Sequence, residues 1–163
     1  MTAHLARRQT VVRGEPPWWL PGAIEHDQWR PAGRELPVLG RAATSIKTAR
    51  DFTVAALEDW GLGELACDAR LVVSELVTNA MRHAGQATRI RLLHRAAHVV
   101  CAVYDPAARP PVLTRAADLA ESGRGLYLVE SVSTAWGWQV LGGPGKLVWA
   151  AFRAPLTLAR TSA

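Results

Sequence analysis

Only two cysteines, Cys67 and Cys101, occur in the 163 residues. Two thiols cannot staple a small disulfide scaffold, and this pair matches no metal-ligand spacing. Both have apolar sequence neighbours, so buried free thiols are expected. Long hydrophobic runs are missing as well. None approaches the roughly 20 residues that cross a bilayer, so a cytoplasmic protein with no membrane partner is expected. Arg7-Arg8 is similar to the start of a twin-arginine signal. Arg13, Glu15 and two prolines, however, interrupt the stretch that would have to be apolar. Acidic residues are in the minority: 14 Asp and Glu stand against 19 Lys and Arg, giving a net charge of +5 and a pI near 10.0. That excess is spread thinly through Arg7, Arg8, Arg41, Arg50, Arg70, Arg89, Arg91 and Arg109. It forms neither a basic stripe interleaved with aromatics nor a recognition helix. Direct nucleic-acid binding is therefore not expected. An acidic protein partner or a nucleotide accounts for the charge as well as DNA does.

What is present suits one folded domain. Hydrophobic residues make up 49% of the chain and the mean hydropathy is +0.03, ample for a single core at this length. Residues 1–33 are rich in proline, glycine and charge and carry no period of 2 or 3.6, so an irregular extension is expected there. Trp18, Trp19 and Trp29 are odd in a loose tail. They suit docking on the domain or on a partner; an unstructured tail with incidental aromatics is the other reading. Residues 34–154 form the expected domain, and 155–163 a short C-terminal tail.

Within that domain Leu36 to Gly40 reads as a short edge strand. Ile46, Ala49, Phe52, Val54, Ala56 and Leu57 recur at helical spacing, and Gly61 and Gly63 stop that helix. A second helix runs from Cys67 to His83, with Gly85 turning the chain. Thr88–Leu93 and His98–Tyr104 read as a strand pair. A proline-rich loop, Pro106 to Glu121, leads to a helix at about Gly125–Val132. Strands at about Ala135–Leu141 and Lys146–Phe152 close the chain. The order predicts an α+β two-layer sandwich, a mixed sheet with helices packed on one face.

The second helix carries the chemistry. At ~100° per residue, Glu75, Asn79 and His83 climb one edge of it, while Val72, Val73, Leu76, Val77, Ala80 and Met81 form the apolar arc. Asn79 and His83 fall on the border of the buried arc, where a solvated polar face would not put them. Taken alone, the pattern also fits an amphipathic helix with an incidental polar edge, and His83 also fits a residue that favours the negative end of the helix dipole. Further on, Asp105 ends the apolar run Ala102-Val103-Tyr104. Ser122-Gly123-Arg124-Gly125-Leu126 opens a helix, and Gly142-Gly143-Pro144-Gly145-Lys146 precedes the last strand. Each has a plain structural reading too: a turn-forming aspartate and glycine turns.

In this order and at these separations the segments resemble the Bergerat-type ATP-binding fold shared by histidine kinases and type II topoisomerases. The single-domain anti-sigma-factor serine/threonine kinases are the most similar group. Glu75–Ala84 resembles their N box, Asp105 the acid of their first glycine box, and Ser122–Leu126 their second. The match spans about Leu36 to Phe152. The resemblance implies ATP and Mg²⁺ as cofactors, with Asn79 offering its amide oxygen to the metal and Glu75 acting as general base. Arg82 and His83 would add phosphate contacts, and Asp105 would accept a hydrogen bond from the adenine amino group. Gly123, Arg124, Gly125 and Leu126 would face the phosphates at a helix start. A sigma factor and a small anti-anti-sigma protein of the STAS fold would be the partners, the latter phosphorylated on serine or threonine. A homodimer is implied as well.

Two positions depart from the pattern. Ala107 stands where the first glycine box has glycine, and Leu147 where the closing strand often carries threonine. They motivate a second reading, a nucleotide-gated partner-binding module without phosphotransfer. A detached histidine-kinase domain is a third reading, but no helical segment with a phospho-accepting histidine precedes the domain.

Overall fold

Apolar runs after residue 86 become strands in the computed structural model, which describes residues 10–25, 32–40, 44–111, 125–141 and 143–155. β3 (Ala87–Arg95) and β4 (His98–Asp105) form one antiparallel pair, and β5 (Ala135–Val140) and β6 (Lys146–Arg153) another. β1 (Thr10–Gly14) and β2 (Ala32–Gly40) flank them, giving the order β1-β5-β6-β4-β3-β2. Every described ladder is antiparallel, so the sheet is not mixed as expected. The reason lies in the crossover from β4 to β5. A helical crossover ordinarily marks parallel neighbours, but here β5 lands two places from β4. β6 then folds back into the gap and runs antiparallel to both.

β4 and β6 are buried on both faces, so each face needs cover. Val99, Cys101 and Val103 of β4 belong to the core under α2 (Thr44–Asp59), α3 (Ala66–Ala84) and α4 (Gly125–Val132). α3 presents Ala69, Val72, Val73, Leu76, Val77 and Ala80 to that core, the arc that its periodicity predicts. Thr53, wholly buried in α2, is satisfied by donating its hydroxyl to the Ala49 carbonyl at 2.8 Å. Burial of Cys101 in this layer pushes its thiol pKa up to about 12, so it is chemically quiet. Cys67 differs from expectation: it is exposed. Two residues before the buried Ala69, it sits about 200° away around the helix, on the outward arc.

The other face carries Val100, Ala102 and Tyr104 of β4, and Leu147, Trp149 and Ala151 of β6. Its cover is α1 (Leu20–Glu25) with the preceding Trp19. Helices thus lie on both faces, three on one and the short α1 on the other. Residues 1–33, expected to be irregular, contribute β1 and α1. β1 lacks an apolar period because main-chain pairing with β5, in the register Thr10↔Gln139 to Gly14↔Ala135, is what holds it. Val11 and Val12 remain substantially exposed. Trp19 docks on the domain, whereas Trp18 lies out in solvent with the Arg95 guanidinium 4.5 Å from its ring centroid. Trp29 lies outside the described residues.

Candidate functional site

Glu75 and Asn79 are both half-buried on the edge of α3, beside the fully packed Leu76, Val77 and Ala80. α3 packs against α4 as well as β4, and the Glu75 carboxylate lies directly against the first residue of α4. A Cβ added to Gly125 would stand 2.6 Å from Glu75 Oε2, too close for any real side chain. Glycine at 125 thus leaves the Glu75 carboxylate in place, where any larger residue would displace its flexible end. It lets the start of a helix, with its outward N–H groups, share a corner with a carboxylate. On the other side of Glu75 an open groove of about 390 Å³ runs between α2 and α3, bordered by Arg50, Arg70, Ser74 and Glu75. Arg50 Nε donates to Ser74 Oγ at 2.5 Å, and that hydroxyl donates to the Arg70 carbonyl at 2.6 Å, fixing this wall.

A second polar group lies at the end of the sheet. Asp105 and Lys146 face each other across the β4–β6 ladder. By alternation from Val103 and Val148 they point to the face covered by α2, α3 and α4. Lys146 Nζ is 2.8 Å from Asp105 Oδ2 and 3.0 Å from Oδ1, with both side chains 1% exposed. Oδ1 also accepts from the Ala107 N–H at 2.9 Å, and Lys146 Nζ donates to the Ala107 carbonyl at 3.2 Å. Gly145, at φ 131, closes the cluster: a Cβ there would stand 2.6 Å from the Asp105 carbonyl oxygen. Positive φ and this approach together exclude other residues.

The sequence-derived candidates therefore separate into groups. Glu75 and Gly125 are in contact. Asn79 shares the α3 edge with Glu75, and Asp105 lies on the same side of the sheet as α3 and α4. Leu126 is buried, so its side chain anchors α4 in the core and only its backbone can face a ligand. Arg82 and His83 are both exposed in the last turn of α3. Gly123 and Arg124 lie outside the described residues, as does most of the Pro106–Glu121 loop. Lys146 escaped the sequence reading. Its signal is the alternation of β4 and β6, but seeing it needs the register between strands 41 residues apart.

The donor set suits a nucleotide site with a hard cation. Glu75 and Asn79 put oxygen donors one turn apart at the rim of the core, the ligand type that Mg²⁺ prefers. Beside them, the first backbone N–H groups of α4 are of the kind that suits an anion. Comparison with curated proteins found no match. Residues 40–152, well over half of the chain, do match the histidine kinase-like ATPase domain, and the chain belongs to that family.

Proposed function

We propose that this chain binds ATP·Mg²⁺ between α3, α4 and the Asp105 end of the sheet, and acts as a protein serine/threonine kinase of the anti-sigma-factor type. Membership of an ATPase domain family supports ATP as the ligand. The observation that carries the kinase reading is the half-buried Glu75 held against the first turn of α4, one turn from Asn79. Phosphoryl transfer depends chiefly on positioning and charge stabilisation, and these two residues supply an orienting base beside a metal ligand. The acceptor is a serine or threonine hydroxyl on a STAS-type anti-anti-sigma protein. Its oxygen bonds to the γ-phosphorus as the bond from phosphorus to the β–γ bridging oxygen breaks. ADP departs and the hydroxyl proton passes to the Glu75 carboxylate. Mg²⁺, when bound, neutralises charge on the phosphates, and Asn79 is the residue that holds it. In its other state the protein holds a sigma factor.

Calorimetric titration with ATP, with and without Mg²⁺, and with GTP as control, tests the nucleotide site. Transfer of ³²P from ATP to candidate STAS proteins tests the activity. Glu75→Ala is expected to keep ATP affinity within a few-fold and to lower transfer by about 10²–10⁴-fold, the usual reach of general-base catalysis. A Glu75→Ala protein that transfers phosphate like the parent would remove Glu75 from the mechanism. A second reading, a nucleotide-gated partner-binding module without phosphotransfer, draws support from Ala107. Both its N–H and its carbonyl are tied to the Asp105–Lys146 pair, which fixes the backbone where the family pattern has glycine. That reading predicts ATP binding with no transfer to any STAS protein.

A further inference from the structure

We infer that Lys146 is a positioning residue for nucleobase recognition: it holds the Asp105 carboxylate so that one acceptor site, and no donor, is left for the base. This rests on the proposal that ATP binds with its base at Asp105. An ammonium has three N–H donors and a carboxylate about four acceptor positions. Lys146 Nζ lies within hydrogen-bond distance of Asp105 Oδ1, Asp105 Oδ2 and the Ala107 carbonyl, which engages all three donors. Asp105 Oδ1 takes both Lys146 and the Ala107 N–H, and Oδ2 takes Lys146. Among the described residues, one acceptor position on Oδ2 is left over.

A buried ion pair contributes little stability compared with well-packed apolar side chains, so core packing does not account for Lys146. The pair is nevertheless tied to the backbone on both sides, through Ala107 and through the close approach of Gly145 to the Asp105 carbonyl. Its fixed output is a single anionic acceptor. A base that offers an exocyclic amino group there is matched. One that offers a carbonyl meets an acceptor whose neighbouring ammonium has its three donors engaged, and leaves two acceptors facing each other. Lys146 thereby acts through Asp105 to select a 6-amino purine. Without the ammonium, the buried carboxylate would lack its counter-charge and would turn away or be neutralised.

The test compares affinities, by calorimetry in Mg²⁺, for ATP and for purine riboside triphosphate, which lacks only the 6-amino group. In the parent, a hydrogen bond to a charged acceptor should favour ATP by on the order of tenfold or more. In Lys146→Met the preference should fall to about twofold or less. Affinity for purine riboside triphosphate should stay within about threefold, because the phosphate contacts are untouched. Circular dichroism shows whether that variant folds. If it does not, Lys146→Gln, which is one atom shorter and keeps an amide donor but no charge, is expected to lose most of the preference. A variant that retained the full preference, or bound ATP more tightly than the parent, would overturn the inference, the second outcome making Lys146 a plug over Asp105. A parent that bound both triphosphates equally would overturn the base assignment while leaving ATP binding intact. A parent that bound neither would overturn the nucleotide reading itself, and this inference with it.

Discussion

At Gly125 two preferences of single residues oppose each other. Alanine in a helix is favoured over glycine by up to about 1 kcal/mol, so Gly125→Ala should stabilise α4. Its methyl would instead arrive 2.6 Å from Glu75 Oε2, and the half-buried carboxylate must swing aside. The two effects roughly cancel in stability but not in function, because the displaced group is the proposed base. Gly125→Ala is therefore expected to leave the urea midpoint nearly unchanged and to lower phosphotransfer by tenfold or more. A double-mutant cycle separates the terms. In a Glu75→Ala background the clash is gone, and Gly125→Ala should then stabilise by about 0.5–1 kcal/mol. Equal effects in both backgrounds would mean that Glu75 does not constrain this glycine.

Among the elements, β1 and α1 matter most, because they lie in the stretch whose sequence predicted no structure. β4 and β6 are apolar on both faces, and α1 with Trp19 covers the side that α2, α3 and α4 leave open. Trp19 is 3% exposed, so Trp19→Ala is expected to destabilise by about 3–5 kcal/mol in urea denaturation, the range for a buried aromatic. Trp18→Ala, adjacent but 76% exposed, should change stability by less than about 1 kcal/mol. Similar losses at both positions would contradict the docked arrangement. The contrast also shows what the sequence could carry. α3 and α4 are legible because burial repeats at their own helical period, and β3 and β4 because apolar runs are broken by a short turn. β1 and α1 hold no such period: one is defined by pairing with a strand some 125 residues on, the other by a face that exists only after the sheet has formed. The site divides the same way. Glu75 and Asn79 are local to one helix and were visible in sequence. The Asp105–Lys146 pair depends on the β4–β6 register, which no local pattern encodes.

At the scale of the whole molecule, the proposed ligand would join parts of the chain that lie far apart in sequence. Its groups come from the middle of α3, the first turn of α4 and the ends of β4 and β6, which span both halves of the helix layer and the centre of the sheet. A ligand held by all of them can bind only when they are assembled, so its binding free energy adds to the stability of the whole fold. At a free concentration of 100 Kd that addition is about 2.7 kcal/mol. For a chain of this length about 1 kcal/mol moves Tm by roughly 2–4 °C, so ATP·Mg²⁺ should raise Tm by about 5–10 °C in a thermal melt. GTP·Mg²⁺ at the same concentration should raise it little, and ATP with chelator should fall well short. Asn79→Ala should melt like the parent without ligand, because its side chain is at the rim of the core, yet lose the Mg²⁺-dependent part of the shift. If that variant kept the full shift, the metal would have to be held elsewhere, and α3 would be left with Glu75 alone as its contribution to the site.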